Sequence, residues 1–468
     1  MSHPSATDPS VTDRSATDPR TPVYDIVGVG FGPANLALAI AVEEYNETAS
    51  PEDRLTAVFL ERQPAFGWHR GMLLEGATMQ VSFLKDLATL RNPRSRFGFV
   101  PYLHDRGRLV DFINHKVLYP SREEFHDYLR WCADGVDHMV HYGAEVRAVR
   151  PAAGQGRRTG ELDVTAVAAD GSGTVAYRAR NLVVATGLVP RLPDGVVSGD
   201  RVWHSSEFLH RLNAFPQSDP RRFVVVGAGQ SAAEIVDHLH TGYPGAEVCA
   251  VLSRYGYSPA DDSPYANRIF DPAAVDLYHG ADSAVRGMLM DYHRNTNYGV
   301  VDIDLIQELY RRAYQEKVRG EQRLRILGAS RVESLDASAD GVTVQVRDLA
   351  TGRTERLDAD AVVYATGYTE LDPVRLLGEL GTAFRRDAEG RLRVHRDYRI
   401  DTADTLSAAV YLQGGTEHTH GITSNLLSMA AVRAGEICAS LVARRAAGTR
   451  RTATAAPATE APATAAAA

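Results

Sequence analysis

The stretch from Tyr24 to Asn35, YDIVGVGFGPAN, constrains the fold of this 468-residue chain more than any other. A short apolar run meets glycines at 28, 30 and 32 and is followed by an amphipathic segment, LALAIAVEEY. This order is typical of a strand, a tight turn and a helix whose N-terminal N–H groups face a pyrophosphate. In this interpretation Gly28 and Gly30 form the turn, and Pro33 takes the third fingerprint position, where glycine is commoner.

A carboxylate and a second fingerprint support this interpretation. The next apolar run, LTAVFL, ends in Glu61, placed to accept hydrogen bonds from a ribose hydroxyl. Phe223–Ala232, FVVVGAGQSA, repeats the pattern with a strand before it and a helix behind it. The following strand ends at Arg254 instead of an acid, which favours the 2′-phosphate of NADPH over NADH. The alternative is an arginine that merely faces solvent at a strand end.

The repeated pattern predicts an α/β protein with two Rossmann-like dinucleotide-binding domains, the second of them for NADPH, and a smaller, mostly helical substrate-binding insertion. A strand ending in ATG occurs twice, at Ala185–Gly187 and at Ala365–Gly367, which suggests that the chain returns to its first domain. The expected segments are the first part of the first dinucleotide-binding domain at 22–200, the NADPH domain at 201–354, its insertion at 255–320 and the return to the first domain at 355–445.

Composition excludes several classes of protein. The formal net charge of −8 and the lack of a basic block argue against nucleic acid as a partner. No apolar run reaches the length of about 18 residues that a membrane-spanning helix needs. Cys132, Cys249 and Cys438 are scattered and form no CxxC, so we expect reduced thiols in a cytoplasmic protein, with no redox dithiol and no metal site. Residues 1–21 and 446–468 are expected to be disordered tails.

The segment 68–109 mixes aromatic residues with Lys85 and Arg91 and shows no sustained periodicity. A loop of this kind inside a cofactor domain is expected to face the cofactor. The alternative is a surface excursion that packs on its own aromatic side chains.

Further blocks occur in order between about residues 22 and 443, namely WHRGM, MQVSFLKDLATLRNP, NTNY, DAVVYATGY and EHTHGITSNLLS. Together with the two fingerprints they resemble the flavin-dependent N-hydroxylating monooxygenases of siderophore biosynthesis, and most of all the L-ornithine N5-hydroxylases. The resemblance implies FAD in the first domain (22–200 and 355–445), NADPH in the second, O₂, a small-molecule amine as substrate, and assembly as a homo-oligomer, a tetramer in the family.

The resemblance also implies roles for individual residues. The expected FAD contacts are Gly28, Gly30, Gly32, Pro33, Glu61, Trp68, His69 and Gln80. The expected NADPH contacts are Gly227, Gly229, Gln230, Ser231 and Arg254. The expected ornithine contacts are Lys85, Asn267, Asn297 and Ser424. Asn297 and Gln80 are expected to serve catalysis.

The chemistry of N-hydroxylation suits this set. Only a neutral amine is a nucleophile, and an ammonium with a pKa near 10.4 is deprotonated in about 0.4 % of molecules at pH 8. A carboxylate beside the amine would hold the proton, whereas the amides of Asn267 and Asn297 and desolvation disfavour the charged form. Lys85 can pair with the substrate carboxylate. Without the resemblance, the same residues fit ordinary turn asparagines and a surface lysine.

Other functions share parts of this pattern. A Baeyer–Villiger or related monooxygenase has both fingerprints, but its FxGxxxH linker is echoed only by Gly199 and His204 at the wrong spacing. An N-hydroxylase of L-lysine or of a diamine is a nearer alternative. An NADPH-binding flavoprotein without oxygenation activity belongs to a different class, and it would form no hydroxylamine in a product assay.

The two fingerprints and Arg254 predict a yellow protein that prefers NADPH to NADH. Replacing Arg254 by Ala is expected to raise KM for NADPH with little change in kcat, as for a contact made equally in the ground and transition states. Steady-state kinetics with both nicotinamides measure this. Equal catalytic efficiency of the unmodified protein with NADPH and NADH would contradict the role given to Arg254.

Overall fold

The computed structural model describes residues 21–152, 159–171, 173–215 and 219–455, with side chains up to residue 447. Most of the two expected tails lies outside these ranges. The last helix, however, continues to Ala455, into the segment from 446 onward that was expected to be a tail.

The first unit starts with strands and helices that alternate and then gives way to a β-meander. Its strands are β1 (Val23–Val29), β2 (Ala57–Glu61), β3 (Val140–Tyr142), β4 (Ala144–Pro151), β5 (Leu162–Ala168), β6 (Thr174–Val184) and β7 (Leu188–Pro190). Its helices are α1 (Pro33–Thr48), α2 (Phe99–Asp105), α3 (Leu109–His115) and α4 (Arg122–Asp134). The apolar periodicity of residues 122–133 predicts an amphipathic helix, and the alternating segments after it predict an antiparallel meander. Helix α4 and the antiparallel strands β4, β5 and β6 confirm both predictions.

The long strand β6 organises the first sheet. One edge of β6 pairs with β1, and the two strands are parallel. The first half of the other edge pairs with β5, antiparallel from Leu162↔Ala179, and the second half pairs with a later strand. That later strand, residues 409–412, runs parallel to β6 from Asn181↔Ala409. The return of the chain to its first domain is therefore real, and it extends the sheet past β6.

The second unit repeats this arrangement. Its strands are β8 (Val202–His204), β9 (Arg222–Val226), β10 (Glu247–Val251), β11 (Leu324–Leu327), β12 (Ser330–Ala337), β13 (Val342–Asp348), β14 (Thr354–Ala359) and β15 (Ala361–Tyr364). Its helices are α5 (Phe208–Asn213), α6 (Gln230–Gly242), α7 (Pro272–Gly280), α8 (Ser283–His293) and α9 (Ile303–Arg319). A parallel sheet forms in the order β11-β10-β9-β15-β8, beside the meander β12-β13-β14.

Two expected boundaries of the second unit need correction. Strand β15 pairs with β9 and β8, so the second unit continues to Tyr364 and does not end at 354. Helix α9 packs Leu309 into the core of the second unit and connects β10 to β11, so it is a crossover helix of the sheet. The inserted part is therefore shorter than 255–320, because α9 does not belong to it.

The return to the first unit completes the fold with β16 (Tyr368–Glu370), α10 (Val374–Leu377), β17 (Ala409–Leu412), α11 (Glu417–His420) and α12 (Ala430–Ala455). Single turns of 3₁₀-helix at Ile422–Asn425 and Leu427–Met429 precede α12. The sequence after the EHTHG block predicts a long helix that starts near Ser424. In the structure this helix begins six residues later, at Ala430.

Each parallel sheet is apolar on both faces, as expected for strands covered on both sides. In β1, Ile26 packs with α1, α4 and α12, whereas Val27 faces the meander and the return segment. In β9, Val225 and Val224 divide between the two faces in the same way. The three cysteines are buried and unpaired, as predicted. Among the described residues no helix is long and apolar enough to cross a membrane.

The two units are joined by a small antiparallel ribbon. Strand β7 leaves the first unit directly after Ala185–Gly187, and β16 leaves the second unit directly after Ala365–Gly367. The two strands pair with each other from Leu188↔Glu370 to Pro190↔Tyr368. The outgoing and returning chains therefore pass side by side between the two units.

Candidate functional site

Both glycine-rich turns depend on a close approach between backbones. Gly30 has φ +83° and Gly227 has φ +144°, a region that side-chain-bearing residues rarely adopt. A Cβ on either glycine would lie 2.4 Å from a carbonyl oxygen, that of Ala185 for Gly30 and that of Ala365 for Gly227. Each ATG segment therefore supports the turn of its own unit, which gives the repeated ATG a structural reason.

In the structure the first fingerprint starts at Gly30, two residues later than the sequence predicts. Gly32 caps α1 as Gly229 caps α6, and Pro33 is the first residue of the helix. The third fingerprint position is thus Asn35, whose Nδ2 donates to the carbonyl of Gly30 at 2.7 Å. Pro33 was expected in that position, and this expectation was wrong because the GxG of the turn starts at residue 30.

Gly28 lies inside β1 and not in the turn. A Cβ there would lie 2.2 Å from the ring of Phe59 on the neighbouring strand. A glycine is therefore needed at position 28 because β1 packs closely against β2, and not because a phosphate approaches it.

The N-terminus of α1 fits a dinucleotide. A Cβ on Gly32 would meet nothing within 4 Å, so the space in front of the helix is open. Within the described residues the N–H groups of Gly32, Ala34 and Asn35 make no hydrogen bond, and they point along the positive end of the helix dipole. An anionic pyrophosphate would satisfy these donors.

Glu61 lies at the end of β2, as predicted, and is buried. Its Oε2 accepts from the N–H of Phe31 at 2.7 Å, and its Oε1 accepts from the N–H of Gln63 at 2.9 Å. The carboxylate thus holds the glycine turn itself. Each oxygen retains a second acceptor position, which leaves room for the ribose hydroxyl that the sequence predicts.

The expected flavin contacts after β2 lie along the wall of the cleft. Trp68 packs between the rings of His69 and Phe125, and His69 reaches towards Tyr368 of the linking ribbon, 6.4 Å between ring centroids. His69 itself is exposed to solvent. Gln80, in the following segment, is exposed to solvent.

The second turn is covered by the insertion. A Cβ on Gly229 would lie 3.5 Å from the Cα of Gly299, and Nη1 of Arg254 donates to the carbonyl of Gly299 at 2.7 Å. Arg254 thus lies beside the start of α6, where Ser231 also is, and its guanidinium is exposed. The structure brings these three expected NADPH residues, Gly229, Ser231 and Arg254, to one end of the helix.

Gln230 departs from its expected role, because both polar atoms of its side chain have protein partners. Its Nε2 donates to Glu234 at 3.0 Å, and its Oε1 accepts from the N–H of Asp302 at 2.8 Å. The side chain therefore connects α6 to the start of α9.

Lys85 meets the insertion. Its Nζ lies 5.9 Å from the ring centroid of Phe270, within the range of a cation–π contact, and among the described residues no carboxylate pairs with it. The turn that carries Phe270 also carries Asn267, and it packs against the turn Ile422–Asn425. Lys85, Asn267 and the turn containing Ser424 therefore meet at one junction.

Ser424 itself is buried and engaged. Its Oγ accepts from the N–H of Thr416 at 2.9 Å and lies 2.8 Å from Oγ1 of the same residue, while its carbonyl accepts from Arg433 at 2.6 Å. A direct contact between this hydroxyl and a substrate was expected, and the structure instead uses the hydroxyl to hold the loop before α12.

The loop with Asn297 is tied to the same junction by a pair that sequence reasoning did not select. The hydroxyl of Tyr298 donates to the carboxylate of Glu417, and burial raises the pKa of that carboxyl group. Both residues stood in blocks that carried the family resemblance, NTNY and EHTHG. The block pattern could have indicated them, but only the fold shows that the two blocks touch.

Two Rossmann-like units, each with a glycine turn at the start of a helix, define a class of protein that binds two dinucleotides. A family model described as L-lysine 6-monooxygenase/L-ornithine 5-monooxygenase matches residues 22–370. The chain belongs to this family, and the resemblance inferred from the sequence is confirmed.

Individual relatives agree. An L-ornithine N(5)-monooxygenase of Burkholderia cepacia is 42 % identical over 409 residues, covering 86 % of this chain and 90 % of its own. The solved ornithine N-hydroxylase of Kutzneria sp. 744, with reduced FAD, NADP⁺ and L-ornithine, is 50 % identical with a TM-score of 0.86, covering 91 % and 100 %. The L-lysine 6-monooxygenase of Pseudomonas syringae is 35 % identical with a TM-score of 0.77, covering 90 % and 99 %.

The open space before α1 predicts that Gly32→Ala separates cofactor binding from folding. The added methyl group occupies the space of the pyrophosphate, so FAD affinity should fall at least tenfold. The free energy of unfolding of the apoprotein should change by no more than about 1 kcal/mol, because φ is −83° and the Cβ meets no atom. Flavin absorbance after dialysis and thermal unfolding measure the two effects.

Gly242→Ala is the matched control, because a Cβ there also meets nothing within 4 Å but lies at the far end of α6. It should retain FAD. If Gly32→Ala bound FAD as tightly as the unmodified protein, the site at the N-terminus of α1 would be wrong.

Proposed function

We propose that this protein hydroxylates the side-chain nitrogen of L-ornithine to N5-hydroxyornithine, using NADPH and O₂, with FAD as its cofactor. FAD would supply O₂ activation after reduction by NADPH. The N-termini of α1 and α6 hold the two pyrophosphates, and Glu61 and Arg254 contact the riboses or the 2′-phosphate. The chain's own residues then bind the amine, orient it and keep water out.

The observation that carries the proposal is the state of Lys85. It is half-buried, it faces the ring of Phe270, and within the described part of the chain it has no carboxylate partner. A partly desolvated cation without an anion is a binding site for one, because the pairing recovers the free energy lost on desolvation. The α-carboxylate of an amino acid suits this position.

The asparagines suit the other end of the substrate. Asn267 donates through Nδ2 to the carbonyl of Asp262 at 2.8 Å, which fixes the amide and leaves Oδ1 free. Among the described residues the side chain of Asn297 makes no hydrogen bond. Neutral amides can accept from the amine without stabilising its protonated form as a carboxylate would, so they support the neutral nucleophile.

The loop carrying Asn297 is held over the cleft from both sides. On one side Tyr298 bonds to Glu417 of the first unit, and on the other Arg254 bonds to the carbonyl of Gly299. A loop anchored to both units would limit the access of water to the space between them.

The proposal predicts selectivity for the length of the amino acid. Lys85 and the asparagines fix two ends of the site, so L-lysine, longer by one methylene, should be hydroxylated about 10 to 200-fold less efficiently. Putrescine lacks the carboxylate and should lose affinity sharply. Lys85→Ala should abolish the preference for ornithine over putrescine, as measured by hydroxylamine formation over a range of substrate concentrations.

Lys317→Ala provides the control, because Lys317 is an exposed lysine near the end of α9 and lies outside the junction. It should keep the selectivity of the unmodified protein. Hydroxylation of lysine or putrescine as efficient as that of ornithine by the unmodified protein would refute both the substrate and the role of Lys85, and would favour the lysine or diamine alternative.

A second prediction concerns coupling. Asn297→Ala should still oxidise NADPH, because flavin reduction needs no amine in place, but it should release peroxide in place of hydroxylated amine. Asn295→Ala, in the same turn, is the control and should remain coupled. The measurement is the ratio of hydroxylated product to NADPH consumed. Full coupling in Asn297→Ala would make Asn297 a turn residue only.

Self-association belongs to the same proposal. Exposed apolar side chains repeat along α8 and α9, at Met288 and Tyr292 and at Tyr310, Tyr314 and Val318, and burying them between copies would remove them from water. Light scattering of the purified protein measures the assembly.

We also propose a cytoplasmic location, supported by three buried reduced thiols.

A further inference from the structure

A buried ion pair connects the first unit to the helix that starts the second nucleotide site. Arg122 begins α4, and its guanidinium reaches Glu234 of α6 with two bonds, at 2.9 Å and 2.7 Å. The side chains are 12 % and 6 % exposed. The two residues are 112 positions apart in sequence, so neither local structure nor one unit alone creates the contact.

Arg122 has further contacts besides Glu234. Nη1 also donates to the carbonyl of Met72 at 2.9 Å, and the backbone N–H of Arg122 donates to the carbonyl of Ala77 at 2.8 Å. These acceptors belong to the segment between Trp68 and Gln80, and the side chains of Met72 and Ala77 pack in the core of the second unit. Arg122 therefore joins α4 of the first unit to this segment and to the first turns of α6.

The connection continues into the insertion. Glu234 accepts from Nε2 of Gln230 one turn earlier on α6, and Oε1 of Gln230 accepts from the N–H of Asp302. Asp302 caps α9 and stands at the end of the loop that carries Asn297. Three parts of the protein are thus linked by one continuous set of hydrogen bonds, from Arg122 through Glu234 and Gln230 to Asp302.

We propose that Arg122, Glu234 and Gln230 are positioning residues that set the NADPH-binding helix and the Asn297 loop relative to the flavin domain. None of the three needs to touch a reacting atom. Arg122 and Glu234 fix the orientation of α6, and hence of the nicotinamide, against the first unit. Gln230 transmits that orientation to the loop that closes on the amine.

Arginine is required at this position for a geometric reason. A planar guanidinium donates in parallel to both carboxylate oxygens and keeps a further N–H for the carbonyl of Met72, whereas a lysine ammonium is a point charge that cannot keep both. Because the pair is buried, removing one partner leaves the other charged and unpaired. Arg122→Lys is thus a conservative change of charge and a severe change of geometry.

The inference rests on the proposed reduction of the flavin by NADPH and is independent of which amine is hydroxylated. It predicts that Arg122→Lys and Glu234→Gln slow flavin reduction by NADPH at least tenfold in stopped-flow measurements without amine. Reduction of the same variants by dithionite should proceed at the unmodified rate, because dithionite does not depend on the orientation of α6.

The matched control is the ion pair of Arg178 with Asp163. It is also two-pronged, at 2.8 Å and 3.3 Å, and similarly buried, at 17 % and 10 % exposed, but it lies within the first-unit meander. Arg178→Lys should lower the melting temperature by an amount comparable to Arg122→Lys and leave the rate of reduction by NADPH unchanged. If Arg122 only stabilised the fold, Arg122→Lys and Arg178→Lys would both leave the rate of reduction by NADPH unchanged.

Two further variants separate the arms of the network. The double variant Arg122→Glu with Glu234→Arg exchanges the two charges. It should recover part of the reduction rate that is lost in Arg122→Glu alone or in Glu234→Arg alone, since opposite charges again face each other. Gln230→Leu should release at least twice as much peroxide per NADPH in the presence of ornithine, because the N–H of Asp302 loses its acceptor.

The outcomes are distinct. If NADPH failed to reduce the flavin of the unmodified protein, the proposed function itself would fail. If it reduced the unmodified protein and also Arg122→Lys and Glu234→Gln at the same rate, the positioning role would be refuted while the function stood. Should Arg122→Lys not fold, Glu234→Gln, which keeps the shape of the side chain, decides the question alone.

Discussion

Both halves of this protein depend on a contact between two stretches of backbone with no side chain between them. Gly30 lies against the carbonyl of Ala185, and Gly227 lies against the carbonyl of Ala365. Each contact brings the end of one strand, the turn after another and the start of a helix to the same point. Because the two units repeat it, each sheet has a glycine turn and a helix N-terminus at the carboxyl ends of its strands, where parallel sheets generally bind their ligands.

Much of this architecture follows from local sequence patterns. Two fingerprints, two meanders and the amphipathic helix α4 were predictable because each pattern spans a few neighbouring residues. The sheet to which each strand belongs could not be predicted in this way. The strand Ala361–Tyr364 and its ATG resemble the first strand-ATG so closely that they were expected in the first domain, yet β15 pairs with β9 in the second. Which of two similar sheets accepts a strand is decided by long-range packing that a local pattern does not contain.

The same limit applies to the site. Glycine content gave the positions of both turns, but the true third position, Asn35, is recognised only by its bond to the carbonyl of Gly30. The blocks NTNY and EHTHG were visible in the sequence, whereas their contact through Tyr298 and Glu417 joins residues 119 positions apart. Ser424 illustrates the reverse case. Its residue type suits a substrate contact, and only its burial against Thr416 shows that its hydroxyl is already engaged.

The ribbon of β7 and β16 has a consequence for how such a protein could have arisen. The second unit leaves and re-enters the first through strands that pair residue to residue, so its two ends are adjacent. Inserting a complete folded domain at such a point adds almost no loop-closure entropy to the host, since the gap that the host must bridge stays as short as a hairpin turn. A single-nucleotide ancestor could therefore have acquired a second nucleotide site by insertion into one surface turn, without rebuilding its own sheet.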